Sequence, residues 1–346
     1  MNLLIRIANR LRRTARVFLT GQVERRNIRV VPAITAEEVA EARAVFPMDK
    51  FFMFGHARSG TTLLARLVGL HPDVYCNWQA HFFSRPPLLS GILADKQFEV
   101  WLARRSNRWN RGRDLSPVAL RAMADFILER DARREGARIV GDKSPNVLTN
   151  GDAVREMHRV YPDGKVVYIV RDGRDTLISH RFQNFIDGSQ FLPARDLAIR
   201  DDFARVPEPY FAGSKSLFTE RAIRRMVTGW KINLIDTDAA ARELYGDQYH
   251  LVRYEALLDR PWEMIAALWH FLGAAPEGLQ AAVEAEMDHN PDADWQHQKA
   301  SELVANLEKG KRGSWRDLLT PRDKAIFKDI AGQTLIDWGY AQDLDW

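Results

Sequence analysis

The chain has 346 residues, 46% of them hydrophobic and 28% charged, a composition that suits a folded globular chain and excludes a disordered or fibrous one. A single cysteine, Cys76, excludes an intrachain disulfide framework and a multi-cysteine zinc site, and it suits a reducing compartment. No apolar run approaches the roughly 18 residues that span a bilayer, so a membrane-crossing helix is not expected.

The net charge of +4 is unevenly placed. Residues 1 to 30 carry eight arginines against one acid, Glu24, so this segment holds +7 and the rest of the chain −3. Leu3, Leu4, Ile7, Leu11 and Phe18 fall at roughly helical spacing among those arginines. Residues 1–34 therefore read as a basic amphipathic segment that suits an anionic membrane surface, a packed solvated helix or a transit peptide. It is not read as a secretory signal, because charges interrupt every candidate apolar core. The remainder, 35–346, reads as one domain.

Thr35-Ala-Glu-Glu38 has the form of a capping box and predicts a short helix ending near Pro47. Strand-sized apolar runs then alternate with helical patterns. Strands are expected at 51–55, 137–141, 165–170 and 249–252. Helices are expected at 60–70, 87–103, 116–134, 146–159, 173–185, 219–244, 261–272 and 321–334. This alternation predicts an α/β fold with a central, mostly parallel sheet flanked by helices. Two stretches, 84–116 and 186–218, mix prolines, aromatics and arginines with little periodicity and read as lids or specificity loops inserted in the domain.

The first chemistry-bearing motif is Gly55-His-Ala-Arg58-Ser59-Gly60-Thr61-Thr62, between a strand and a helix. Such a turn aims backbone N–H groups and a helix N-terminus at an anion, while the hydroxyls add donors. It differs from the nucleoside-triphosphate loop, because Thr61 stands where that loop has its lysine and the nearest cation is Arg58. No acidic magnesium partner is evident at the end of a later strand. The second motif is the buried-strand pattern 165–170 followed by Arg171-Asp-Gly-Arg-Asp175 and a helix bearing Ser179. Ligands of open parallel sheets gather outside the carboxyl ends of strands, so the two motifs are expected to face one ligand. Arg174 and Asp175 read as surface ion pairs. The third motif, Lys309-Gly310-Lys311-Arg312-Gly313-Ser-Trp315, suits a basic loop folding over a phosphate, with Trp315 as its apolar anchor.

Together these three motifs resemble the sulfotransferase family, which takes 3′-phosphoadenosine-5′-phosphosulfate (PAPS) as donor. GHARSGTTLL resembles the family's 5′-phosphosulfate loop in the R-S-G-T-T form of bacterial, carbohydrate-directed and protein-directed members. VVYIVRDGRDTLISH resembles its 3′-phosphate strand-loop-helix, and KGKRGSW its C-terminal loop, although Glu308 stands where many members have arginine. The resemblance spans roughly residues 50–340 and implies the P-loop-like sulfotransferase fold. It implies that Arg58, Ser59, Gly60, Thr61 and Thr62 hold the 5′ end of the donor, Arg171 and Ser179 its 3′-phosphate, and Lys309, Gly310, Lys311, Arg312 and Gly313 close over it. No metal is expected.

The resemblance also locates the catalytic candidates. In Val140-Gly-Asp-Lys143-Ser-Pro145, Lys143 occupies the place where many members have a histidine, and it is expected to contact the sulfuryl group. The base must then come from elsewhere. Trp78 and Gln79 fall where protein-directed members place a glutamate, and neither is a useful base. His81 lies close by and titrates in the right range, so it is taken as the base. Asp142 and His56 are the other candidates, His56 being read as structural. The expectation is a cytoplasmic transferase acting on a small-molecule, carbohydrate, lipid or peptide acceptor, with no nucleic acid partner and with peripheral membrane contact through residues 1–30. The alternatives are a nucleotide-dependent kinase and an inactive membrane-associated binding module.

Overall fold

The computed structural model describes residues 31–84, 93, 96–288 and 312–346. Residues 1–30 of the basic segment, and Lys309, Gly310 and Lys311, lie outside the described residues. The predicted capping box is present: the Thr35 hydroxyl accepts from the Glu38 N–H at 3.2 Å and the Glu38 carboxylate accepts from the Thr35 N–H at 3.0 Å. It opens helix α1 (Ala36–Val45).

Five strands, β1 (Asp49–Gly55), β2 (Val74–Trp78), β3 (Ile139–Lys143), β4 (Lys165–Val170) and β5 (Tyr249–Arg253), form one parallel sheet in the order β2-β3-β1-β4-β5. The central position of β1 explains its continuous apolar run, since both of its faces are covered. One face, with Phe51, Met53, Ile139, Val167 and Ile169, packs on α2 (Thr61–Val68) and α11 (Pro261–Leu272). There the Trp269 indole N–H donates to the Val68 carbonyl at 2.9 Å. On the other face the Phe52 ring meets Tyr161 and Phe83 at 4.8 and 5.4 Å. At the N-terminal end of the strands, Lys50 pairs with Glu129 at 2.6 Å, and the buried Arg121 bridges Asp125 and Asp163.

The remaining helices in chain order are α3 (Lys96–Ala103), α4 (Ser116–Arg134), α5 (Asp152–Val160), α6 (Gly173–Asp187), α7 (Ala194–Arg205), α8 (Glu208–Phe211), α9 (Glu220–Tyr245), α10 (Tyr254–Asp259), α12 (Gln280–Asp288), α13 (Trp315–Leu318) and α14 (Pro321–Asp337). Three expectations need correction. The expected helix at 146–159 begins only at Asp152, because Asn146 donates its backbone N–H to the Gly55 carbonyl at 2.8 Å and Asn150 and Gly151 both take positive φ. Strand β2 has no counterpart in the expected elements, its five residues ending on polar Asn77 and half-exposed Trp78. The segment 186–218 contains α7, tied down where Arg181 pairs with Asp196 at 2.5 Å and donates to the Leu217 carbonyl at 2.7 Å.

The compact unit that carries the sheet begins at Ala33 and resumes at Pro117. Residues 96–116 have their own contacts: Trp101 stacks on Trp109 at 5.1 Å, and the Asn107 and Asn110 side chains donate to carbonyls of Trp101 and Leu102. Among the described residues, no helix is long and apolar enough to cross a membrane.

Candidate active site

The chain leaves β1 for β2 and β3 on one side of the sheet and for β4 and β5 on the other, so the loops after β1 and β4 flank a crevice at the carboxyl edge. In the first loop a turn forms as the Ser59 N–H donates to the His56 carbonyl at 3.0 Å. Arg58 takes a left-handed φ of 75° and Gly60 one of 94°. Glycine is required at position 60 on two counts, since a Cβ there would fall 2.2 Å from the Tyr254 ring. Helix α2 starts directly at Thr61 with no acidic residue in its first turn. Its leading N–H groups have no intrahelical acceptor, which leaves a donor-rich end at the crevice.

The second strand end closes on the first. Arg58 donates through Nε to Ser179 Oγ on α6 at 3.1 Å, and Arg171 donates to the Arg58 carbonyl at 3.2 Å. The Arg171 guanidinium also lies over the Tyr254 ring at 4.5 Å. Tyr254 is thus wedged between Gly60 and Arg171. Arg171 Nε is buried without a hydrogen-bond partner among the described residues.

Lys143, at the end of β3, is fully buried beside α2, with Nζ 3.5 Å from Thr62 Oγ1 and 4.5 Å above the Trp78 ring. Thr62 thus lies beside Lys143, whereas Thr61 is buried against Gly55 and Ile169. Asp142 projects to the opposite face from Lys143. There it accepts from the Ala80 N–H at 2.9 Å and from the Ser144 hydroxyl. Burial pushes its carboxyl up to about 6, against the stabilising pull of those donors. The Ser144 oxygen in turn accepts from the His81 N–H at 2.9 Å, and the His81 ring Nδ1 lies 2.7 Å from Ser84 Oγ. Gln79 and His81 hold left-handed φ values of 56° and 52°, so this turn carries backbone strain beside the strand ends. His81, the expected base, is thus buried in a turn whose backbone is anchored by Asp142 through Ser144, while its ring contacts Ser84.

Two further histidines face each other across the crevice wall. The His56 and His180 rings are 5.6 Å apart, edge to face. Burial lowers His56 to about 4 and His180 to about 3, the latter also through His56 and the Arg58 and Arg225 guanidiniums. Values this low favour neutral rings at pH 7.

The reading of Arg174 and Asp175 as surface ion pairs is wrong. Both are buried. Arg174 pairs with Asp172 at 2.7 Å, lies 4.0 Å over the Trp315 ring and donates to the Tyr340 carbonyl. The Asp175 carboxylate accepts from Gly313, Ser314 and Trp315. The only signal available was their place directly after a strand-end arginine. Of the C-terminal loop residues described, Arg312 pairs with Asp259 at the surface and Gly313 takes φ 82°.

A family model described as "Sulfotransferase family" matches residues 50–277, which include both strand-end motifs. The chain belongs to the sulfotransferase family. Relatives include the protein-tyrosine sulfotransferase of Drosophila melanogaster, 32% identical over 133 residues, or 38% of this chain and 25% of that protein. The nodulation protein NoeE of Sinorhizobium fredii is 24% identical over 321 residues, 88% of this chain and 69% of that one. Among solved structures, a sulfotransferase from Alicyclobacillus acidocaldarius aligns over 78% of this chain and 98% of that one, with TM-score 0.40 and 20% identity. The chain spans only about a quarter to a third of the length of the protein-tyrosine sulfotransferases it matches.

Proposed function

We propose that this sulfotransferase moves a sulfuryl group from PAPS to a hydroxyl or amine of an acceptor by in-line displacement, without a bound metal. The observation that carries the reading is the convergence of two strand-end anion sites, tied by Arg58 to Ser179 and by Arg171 to Arg58. The donor, a substrate of the reaction, brings the sulfuryl group and two phosphate positions. The residues fit it: N–H groups of the Ser59–Thr62 turn and Arg58 suit the 5′ end, while the guanidinium of Arg171 and the hydroxyl of Ser179 suit the 3′-phosphate.

As the acceptor oxygen or nitrogen bonds to sulfur, the bond from sulfur to the 5′-phosphate oxygen breaks and adenosine 3′,5′-bisphosphate leaves. Arg58 and the helix end stabilise charge on the leaving phosphate, and Lys143 stabilises the equatorial sulfuryl oxygens. His81 takes the acceptor proton, held in place by the turn that Asp142 and Ser144 anchor. The acceptor class is a small molecule, carbohydrate, lipid or peptide. A cytoplasmic location, with residues 1–30 at an anionic membrane surface, is part of the same reading.

Calorimetry separates the donor from its competitors. Adenosine 3′,5′-bisphosphate is expected to bind tightly, and ATP with magnesium weakly. Tight ATP binding without response to the bisphosphate would support a kinase instead. Absence of turnover in an acceptor screen with labelled-sulfate PAPS, together with vesicle binding through residues 1–30, would support an inactive binding module.

A further inference from the structure

We propose that Asp175 is a positioning residue of the donor site: it fixes Gly313, Ser314 and Trp315 to the helix that presents Ser179, a contact that occupies its own carboxylate, and so sets recognition of the donor's 3′-phosphate. This rests on the donor reading above.

Asp175 lies four residues after Arg171 and four before Ser179. On α6 that spacing puts Asp175 and Ser179 one turn apart on the same face, with Arg171 at the strand end just before it. A carboxylate at that place, with 4% of the residue exposed, is unusual beside a site for anions. Left alone it would repel an arriving phosphate. Here both of its oxygens are engaged by one short piece of chain. Oδ2 accepts from the Gly313 N–H at 2.9 Å, and Oδ1 accepts from the Ser314 hydroxyl at 3.2 Å and the Trp315 N–H at 3.4 Å. Bonds from N–H and O–H donors to a buried carboxylate are charge-assisted and disperse its charge.

The chain around these donors is shaped for the contact. Gly313 has φ 82°, a left-handed backbone that favours glycine. The adjacent Arg174 contacts the same stretch, its guanidinium 4.0 Å from the Trp315 ring centroid and 4.6 Å from that of Trp346, two rings that meet edge to face. The strand end and the helix after it therefore do two jobs: Arg171 and Ser179 are placed for the proposed ligand, while Arg174 and Asp175 hold Gly313, Ser314 and Trp315.

The test compares calorimetric binding of adenosine 3′,5′-bisphosphate and adenosine 5′-monophosphate, which differ only in the 3′-phosphate, to wild-type protein, Asp175→Asn and Ser314→Ala. The asparagine keeps the shape but turns an amide NH2 toward the incoming donors. Asp175→Asn is expected to weaken the bisphosphate about tenfold and the monophosphate less than about twofold, and Ser314→Ala to lower the preference about threefold. A merely structural role would weaken both nucleotides alike or lower only the melting temperature. An unchanged preference in the variants, or equal loss for both ligands, overturns the proposal. Should Asp175→Asn fail to fold, Ser314→Ala decides by the same ratio. A wild-type protein with no preference for the bisphosphate overturns the donor reading and this inference with it, and that result appears before any substitution is made.

Discussion

Arg58 donates through Nε to Ser179 Oγ at 3.1 Å, linking positions 121 residues apart in the chain. The contact joins the loop after the central strand to the helix after its neighbour, and so ties together the two halves of the proposed donor site. A donor that carries a phosphate at each end is the ligand such a linked pair suits. In the proposed reading Arg58 has two tasks, a charge for the ligand and a strut to Ser179, which a lysine with its point charge performs less well.

Substitutions should separate those tasks. Arg171→Ala is expected to weaken bisphosphate binding about tenfold or more, since it removes a buried charge and its contact to the Arg58 carbonyl. Lys143→Met is expected to leave bisphosphate affinity nearly intact and to lower turnover on the order of 100-fold, because in the proposed reading its charge stabilises the transferring group. Arg58→Ala should lower both. Calorimetry with the bisphosphate and steady-state rates with labelled donor check the three together. A Lys143 variant with normal turnover would remove it from the catalytic set.

The strand-end motifs were legible because they are local: glycines, hydroxyls and a cation within five or six residues between a strand and a helix carry their geometry in their order. The sheet was legible for the same reason wherever strands are buried on both faces and read as continuous apolar runs. Strand β2 was not, because an edge strand of five residues ending in Asn77 and Trp78 has no such signature. Asp175, Tyr254 and the Asp142–Ser144–His81 chain were illegible for a different reason. Their roles depend on partners 63 to 194 residues away, so a charged pair such as Arg174 and Asp175 looks like surface until the C-terminal segment is seen folded onto it.

The buried histidine pair makes stability pH-dependent. In the unfolded chain each imidazole titrates near 6.5, whereas in the fold burial holds His56 at about 4 and His180 at about 3. Between those values the unfolded state binds more protons than the folded state, so the pair's contribution is fully present above pH 6.5 and is lost as pH falls toward 4. For His56 the full effect is on the order of 3 kcal/mol. Urea midpoints at pH 7.5, 6 and 5 should fall with pH in the wild-type protein and more gently in His56→Phe. Equal slopes in the two proteins would show that His56 is not held neutral.

Asp142 gives activity a pH dependence of its own. Its carboxyl is pushed up to about 6 by burial, and only the ionised form accepts from both Ala80 and Ser144. Protonation as pH falls through 6 therefore loosens the turn in which Gln79 and His81 hold left-handed backbone, and with it the orientation of the His81 ring. The stability consequence has the opposite sign to that of the histidine pair, since a carboxyl raised above its unfolded value near 3.9 costs stability as it ionises. Asp142→Asn should thus be at least as stable as wild type at pH 7 but slower at every pH, with a shallower acid limb near pH 6. His81→Gln, which keeps the backbone and removes the base, should lower turnover on the order of 100-fold across pH 6 to 8 without changing bisphosphate affinity. Profiles of kcat/KM from pH 5 to 8 for the three proteins decide it. Full turnover in His81→Gln would transfer the base assignment to another group, and an acid limb unchanged in Asp142→Asn would show that the turn is held without that carboxylate.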